Sequence, residues 1–424
     1  MTAGGQSLWR NRGFLYLWTA QTLSEFGAKT GLLAIPLIAA TLLGATPFQM
    51  GALAAAETSP YLLFGLITGS WVDRLSKRIV MVIADLARAA VLLLIPLLAW
   101  LGILSIEILC VLAFLIGAAE VWFNIASAAY TPIIVGKESL IDANSKLALS
   151  SAGAESIGPT AAGTLIQLAS APIALVANSL TYVLSALFIR ASAQGGDRPR
   201  QLDKGKRARI VDDIRSGLVF VFTSDILRAV TLRLAMWQFI VGLVLALFVY
   251  FAVHELGLSS VVVGGLFSVM GAGVLAGALI VKRLSGRLGM GQSIIFSVTT
   301  AAAFALLIPL AGGPPFWRGL MVACAMFVYG LSTTVYEVNN VTLRQSLTPP
   351  EMLGRMTSTV RVSTLGLRPL GALLGGALGG FIGIRETLAL AISAGLVLSL
   401  ASLFVSPLRG VNHQHQLGEI SIDK

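Results

Sequence analysis

The residues able to do chemistry in this chain are a sparse set of charges embedded in long apolar stretches. Glu25 and Lys29 lie four apart in the first stretch, Glu57 lies in the second, and Glu120 and Asn124 lie four apart in the fourth. Asp85 and Arg88 lie three apart in the third. Residues three or four apart on a helix are neighbours on one face. A charged side chain at the centre of a membrane helix costs about 2.5–3.5 kcal/mol on insertion scales. Each such group therefore needs a partner, water or a task. One task open to a carboxyl is to take up and release a proton. Two readings stand for Glu25: a mutually neutralised pair with Lys29, or a cavity acid that Lys29 tunes. Glu57, three residues before the helix-bending Pro60, is a second candidate partner for Lys29. Glu120 has no basic residue beside it in sequence. Asp85 and Arg88 suit a brace between helix ends.

Other chemistries find little support. Cys110 and Cys324 both sit in apolar runs, so neither a disulfide framework nor a cysteine metal site is indicated. His254, His413 and His415 make no ligand set with nearby acids or thiols. No nucleophile–base motif stands out. Neither an enzyme, a metal site nor a cofactor is expected.

The elements that must position these charges are membrane helices. Of 424 residues, 56% are hydrophobic and 12% charged, with mean hydropathy +0.84; a soluble domain carries about 25% charge. Apolar blocks of about 20 residues, each long enough to span the hydrocarbon, recur throughout. The expected spans are 13–43, 48–71, 79–101, 106–134, 146–169, 172–192, 226–254, 260–281, 291–311, 316–343, 357–382 and 385–406. The expected fold is an all-α membrane protein with twelve transmembrane helices in two pseudo-symmetric six-helix bundles. The first bundle would occupy 1–192 and the second 225–410. Between them lies a basic cytoplasmic linker, 193–224, with an amphipathic interfacial helix over 210–222. A cytoplasmic tail would follow from 411 to 424.

Orientation follows from the basic residues. With both termini cytoplasmic, Arg10, Arg12, Arg74, Lys77, Arg78, Lys137, Lys146, the 198–215 cluster, Lys282, Arg283, Arg287, Arg355 and Arg409 share one side. Only Arg318 and Arg385 face the other. Lys and Arg mark cytoplasmic loops, and no cleavable signal pattern stands at the N-terminus. The net charge of +10 then reflects topology and contact with anionic lipid rather than nucleic acid. On this map Glu155, Arg233, Glu337 and Arg361 are shallow on the cytoplasmic side, suited to gate contacts or to snorkelling. Arg368, beside Pro369, is deeper and suited to an anionic substrate or a carboxylate.

The halves repeat one another. Asp73-Arg74-Leu75-Ser76-Lys77-Arg78 is echoed by Lys282-Arg283-Leu284-Ser285-Gly286-Arg287, and Gly158-Pro159 by Arg368-Pro369. Gly69-x-x-x-Asp73-Arg74-x-x-Lys77-Arg78 resembles the signature of the loop between spans two and three in the major facilitator superfamily. Asp85-Leu86-Ala87-Arg88, Asp142-Ala143-Asn144, Arg344-Gln345 and Thr348-Pro349 resemble its bacterial drug/proton antiporter branch, which includes macrolide-efflux and enterobactin-exporter proteins. Gly158-Pro159-Thr160-Ala161-Ala162-Gly163 resembles the antiporter signature, with Ala162 where that signature has a glycine.

The resemblance implies a secondary transporter of the bacterial inner membrane, acting as a monomer with protons, a small-molecule substrate and membrane lipids as partners. It implies export of an amphiphile by alternating access, with spans one, four, seven and ten lining a central cavity. Proton coupling would fall to Glu25, Glu120 or Glu57. Substrate contacts would fall to Glu25, Lys29, Glu120, Asn124 and Arg368, and gating to Asp73, Arg74, Arg78, Asp85, Arg88, Glu155 and Arg361. An importer or a proton-independent facilitator of the same fold stands as the alternative, and a non-transporting membrane sensor behind it. Gly27, beside Glu25, is expected to leave room for water or ligand. The glycine runs at 271–277 and 371–380 read as helix-packing surfaces.

Overall fold

The computed structural model describes residues 8–72, 75–136, 139–192, 207–349 and 352–405. Among the described residues the chain is helical nearly throughout and contains no strand. Apolar sequence favours helices here because lipid offers no partner for backbone N–H and C=O groups. The helices are α1 (Arg12–Leu37), α2 (Pro47–Val72), α3 (Lys77–Trp100), α4 (Ile106–Val135), α5 (Leu140–Ala169), α6 (Ala171–Ala191), α7 (Arg207–Thr223) and α8 (Asp225–Tyr250). They continue as α9 (Ser260–Leu288), α10 (Met290–Ala305), α11 (Leu307–Leu310), α12 (Pro315–Ser346), α13 (Leu353–Leu365), α14 (Arg368–Ile382) and α15 (Ile384–Val405). Ten helical segments among the described residues are long and apolar enough to cross a membrane.

Local chemistry starts and stops the helices. Asn11 caps α1 by accepting from Phe14 N at 3.1 Å. Ser76, Ser105 and Ser224 cap α3, α4 and α8 in the same way. These side chains satisfy amides that a first turn leaves without a partner. Gly289, at φ 80°, ends α9, a conformation that glycine adopts without a Cβ clash. The last turns of α1 and α8 widen into π segments over Ile38–Leu42 and Phe251–Glu255.

The chain divides into two compact units. The first comprises residues 1–49, 56–203 and 259–265. In it α1 packs against α5 and α6, and α3 packs against α4 and α6. Phe14, Leu17, Met81, Phe123, Tyr130 and Ile189 fill its core. The second comprises residues 50–55, 204–258 and 266–424. There α8 packs on α14, α10 packs on α12 and α15, and α7 packs on α13. Its core includes Leu227, Leu234, Ile294, Tyr336, Leu343 and Met356.

Several boundaries differ from those expected. The single span over 357–382 is two helices, α13 and α14, parted at Gly366 and Leu367. Pro369 at the start of α14 has no N–H to donate back, which favours a break there. The span over 291–311 is likewise parted at Leu306. Lys282 to Arg287 is not a loop but the last turns of α9. Lys and Arg stems can carry their charge to the interface without ending the helix. α5 starts earlier than expected, at Leu140, which places Asp142 and Lys146 four apart on its face as an ion pair. The helix expected over 210–222 exists as α7. Val221 is fully buried in the second unit's core, so part of its apolar face packs on protein. Asp73, Arg74, residues 193–206 and the 411–424 tail lie outside the described residues. Arg78 stands in the first turn of α3.

Candidate functional site

In the first unit, α1 passes close to α6 because it carries glycine at the contact. A Cβ added to Gly27 would lie 2.2 Å from Thr181 Oγ1 and 2.4 Å from Asn178 Oδ1. Gly27 thus admits α6 and leaves no room for water or ligand, which corrects the expectation from sequence. α4 crosses α2 at Gly117, where a Cβ would lie 2.2 Å from the Glu57 carbonyl oxygen. The first crossing sets α1 against α6, and the second sets α4 against α2.

The most deeply buried member of this polar set is the pair Asp85–Arg88, whose side chains are 0% and 3% exposed. Arg88 Nη2 donates to Asp85 and also to Ser24 Oγ on α1 at 3.3 Å. Ser185 on α6 donates to the second Asp85 oxygen at 2.6 Å. The guanidinium lies between two aromatic faces, 4.5 Å from the Phe123 centroid and 4.2 Å from that of Tyr182. Aromatic faces attract a cation through their quadrupole, so this charge is held without water. The pair therefore ties α3 to α1, α4 and α6.

Lys29 pairs with neither Glu25 nor Glu57 but with Glu155 on α5. The reason is steric. A Cβ on Gly158 would lie 2.9 Å from Lys29 Cγ and 3.0 Å from its Cβ. Only glycine lets the lysine stem pass, one turn from the carboxylate that receives it. Glu155, expected to stand apart near the cytoplasmic ends, is therefore part of the same cluster as Lys29.

Glu25 and Glu120 form no ion pair among the described residues. Glu25 nonetheless lies within electrostatic reach of Lys29, Glu120, Glu155 and Arg88. Tyr61 on α2 links the two expected members of α4. Asn124 Nδ2 donates to the Tyr61 hydroxyl at 2.8 Å, and that hydroxyl donates to Glu120 Oε1 at 3.3 Å. Between α1 and α4, Gln21 donates to Ser127 Oγ at 2.5 Å. Sequence reading missed Tyr61, Gln21, Ser24 and Ser185, because neutral polar side chains are common inside helices. The available signal was Tyr61 standing four residues after Glu57.

In the second unit, Arg233 on α8 lies within electrostatic reach of Tyr336 on α12. One of its amino groups is buried with no hydrogen-bond partner among the described residues. Glu337 and Arg344 interact along α12. Arg368 opens α14 against α8, where a Cβ on Gly242 would lie 2.2 Å from its carbonyl oxygen. Arg361 is exposed on α13. The candidate residues thus fall into separate sets, with Glu25, Lys29, Asp85, Arg88, Glu120, Asn124 and Glu155 in the first unit. Among the described residues no group of three or more His, Cys, Asp or Glu could hold a metal ion.

Comparison with known proteins identifies the family. A family model described as Major Facilitator Superfamily matches residues 17–367. The chain is 25% identical over 389 residues to an uncharacterized transporter of this type, YfiS of Bacillus subtilis, covering 89% of each chain. It is 26% identical over 402 residues to the multidrug efflux pump Tap of Mycobacterium tuberculosis, covering 90% of this chain and 91% of Tap. Among solved structures it resembles a bacterial homologue of the iron transporter ferroportin in an inward-facing state, with a TM-score of 0.70 at 17% identity over 93% and 99% of the two chains. It also resembles the nucleoside transporter NupG, with a TM-score of 0.69 at 14% identity over 92% and 98%. The family pattern covers most of the chain, its relatives are transporters along nearly their whole length, and the fold is shared: the chain belongs to the major facilitator superfamily.

Proposed function

We propose that this membrane transporter exports an amphiphilic small molecule in exchange for protons. One observation carries the reading. Asp85 is matched by Arg88 and Glu155 by Lys29, whereas among the described residues Glu25 and Glu120 share the same polar cluster without an ion pair. A proton on either carboxyl removes a charge that no ion pair matches from a partly buried site. Loading and unloading that proton would shift the balance between two conformations, because charge is costly wherever the site loses water. Lys29 and Asn124 would then meet the polar part of the substrate. Arg368 would serve as a further contact from the second unit, and Glu57 as a reserve partner for the lysine. The likeness to Tap favours export.

The architecture supporting this reading counts α2 and α5 as spans beside the ten, which gives twelve in two six-helix halves. These halves would correspond to residues 1–192 and 225–410. The chain would sit in the inner membrane as a monomer with both termini cytoplasmic, as the basic residues direct. Alternating access around a midplane site is the mechanism that such repeats support. Asp73, Arg74, Arg78 and Arg361 would act as cytoplasmic gate contacts. The test is transport in proteoliposomes under an imposed pH difference, with a panel of amphiphiles. Accumulation that follows the gradient and collapses with a protonophore is the expected result. Gradient-independent equilibration would favour a facilitator of the same fold.

A further inference from the structure

A partly open apolar pocket, with about 60 Å3 of space that the centre of a water-sized sphere can reach, is lined wholly by residues of the second unit. Trp237 and Phe248 of α8, Met270 of α9 and Tyr329 of α12 form part of its wall, and no wall residue carries a charge. Small residues make the space. Ala302 on α10, Ala325 on α12 and Gly395 on α15 stand where larger side chains would fill it. Gly395 is a measure of the fit, since a Cβ there would lie 3.1 Å from Ile240 Cδ1. The break between α10 and α11 falls in the same wall, with Ala305 on one side and Ile308 on the other.

Protein interiors are packed about as densely as organic crystals, and voids much larger than a water molecule are few. On that measure one water needs about 10–15 Å3, so the space here exceeds a packing defect. Walls this apolar favour an apolar guest over water. The aromatic residues are placed to hold a flat guest. Trp237 stacks on Tyr329 with ring centroids 6.0 Å apart and planes 19° apart, and Phe248 meets Phe267 edge-on at 5.5 Å. The stacked pair presents extended π surface next to the space, and Met270 and Met326 offer side chains that adapt to an irregular shape.

We propose that this cavity is a binding site for one uncharged apolar group, a fused ring or a hydrocarbon chain, seated against Trp237, Tyr329 and Phe248. The site needs no proton coupling, so its test reads binding, and the transport assay can fail without it. Tyr329 lies within electrostatic reach of Arg368 and Glu337, which gives an amphiphile seated here a polar direction for its other end.

The experiment uses the purified full-length chain in lipid nanodiscs, with 1-bromonaphthalene as probe. Bromine quenches indole emission on contact, and the difference between wild type and Trp237→Phe isolates the Trp237 signal. Saturable quenching is expected in the wild type, with affinity about tenfold weaker in Ala325→Phe, which fills the cavity and keeps Trp237. Gly395→Leu fills it from another helix and serves if the first variant is not monodisperse. A second arm replaces the probe with lipids brominated on their acyl chains. Quenching of Trp237 there that the filled variants lose supports the site and identifies a bilayer chain as the occupant. Quenching that rises linearly with probe, or that is equal in wild type and filled variants, overturns the proposal.

Discussion

The buried pair Asp85–Arg88 is open to a quantitative test because its surroundings are asymmetric. Asp85 has Arg88 and the Ser185 hydroxyl, whereas Arg88 has Asp85, Ser24 and two aromatic faces. Removing one partner of a buried pair costs about 3–5 kcal/mol, since it strands the other charge. The stranded charges differ in what remains around them. In Asp85→Ala the guanidinium keeps Phe123 and Tyr182, and such contacts are worth about 0.5–2 kcal/mol in a desolvated site. In Arg88→Met the carboxylate keeps one hydroxyl and nothing cationic in contact. Arg88→Met should therefore be the more damaging change, near the top of that range, and Asp85→Ala near the bottom. The double variant leaves neither charge, and the methionine can still pack between the two rings. It should recover about 2–3 kcal/mol relative to the sum of the singles, the upper end of couplings seen for residues in contact. The assay is a double-mutant cycle on SDS-induced unfolding in mixed micelles. Additive losses, or a more severe Asp85→Ala, would refute the account of which charge depends on which.

Three further outcomes follow from the same geometry and from the charge map. Glu25→Gln should bind substrate and support exchange yet fail to concentrate it under a pH difference; if accumulation persists in proteoliposomes, Glu120→Gln is the next carrier to test. Gly158→Val should uncouple Lys29 from Glu155 and depress transport by about tenfold or more with modest loss of folded protein, whereas unchanged transport would show that the lysine reaches its partner by another route. A cysteine placed at Lys204 should resist an impermeant thiol reagent applied outside intact cells, and rapid labelling there would reverse the assigned topology.

Ten of the twelve expected spans were legible, because hydropathy is a bulk property that survives errors of a turn at either end. The pair Asp85–Arg88 was legible for a similar reason, since three-residue spacing on one helix settles who is adjacent. Lys29 was misassigned because the same local rule favours Glu25, four residues away, while the true partner stands on another helix. That partner is reached through the missing side chain of Gly158, and nothing in α1 signals it. Gly27 misled in the opposite sense. A glycine near a charge suggests open space, but here the space belongs to Thr181 and Asn178. The break at Gly366 and Leu367 was half visible in Pro369. The π segments after α1 and α8 had no counterpart in hydropathy, because widening a turn changes hydrogen bonding and leaves apolar character unaltered. The cavity around Trp237 was invisible, as small residues on α10, α12 and α15 acquire meaning only when they face one another.

The close approach of α8 and α14 bears on how the chain is made. At Gly371 a Cβ would lie 1.9 Å from the Phe239 carbonyl oxygen, and at Gly242 one would lie 2.2 Å from that of Arg368. Backbone meets backbone, so neither helix can shield that strip with its own side chains. α8 is synthesised long before α14, and until Arg368 to Ile382 enters the membrane the strip on α8 faces lipid or provisional neighbours. Sealing of that strip therefore waits for one short glycine-rich helix made only after α9 to α13. A ribosome that stalls before Arg368 would leave an unsealed seam, a ready mark for membrane quality control. Chains that pass that point can seal the strip by docking α14 on α8.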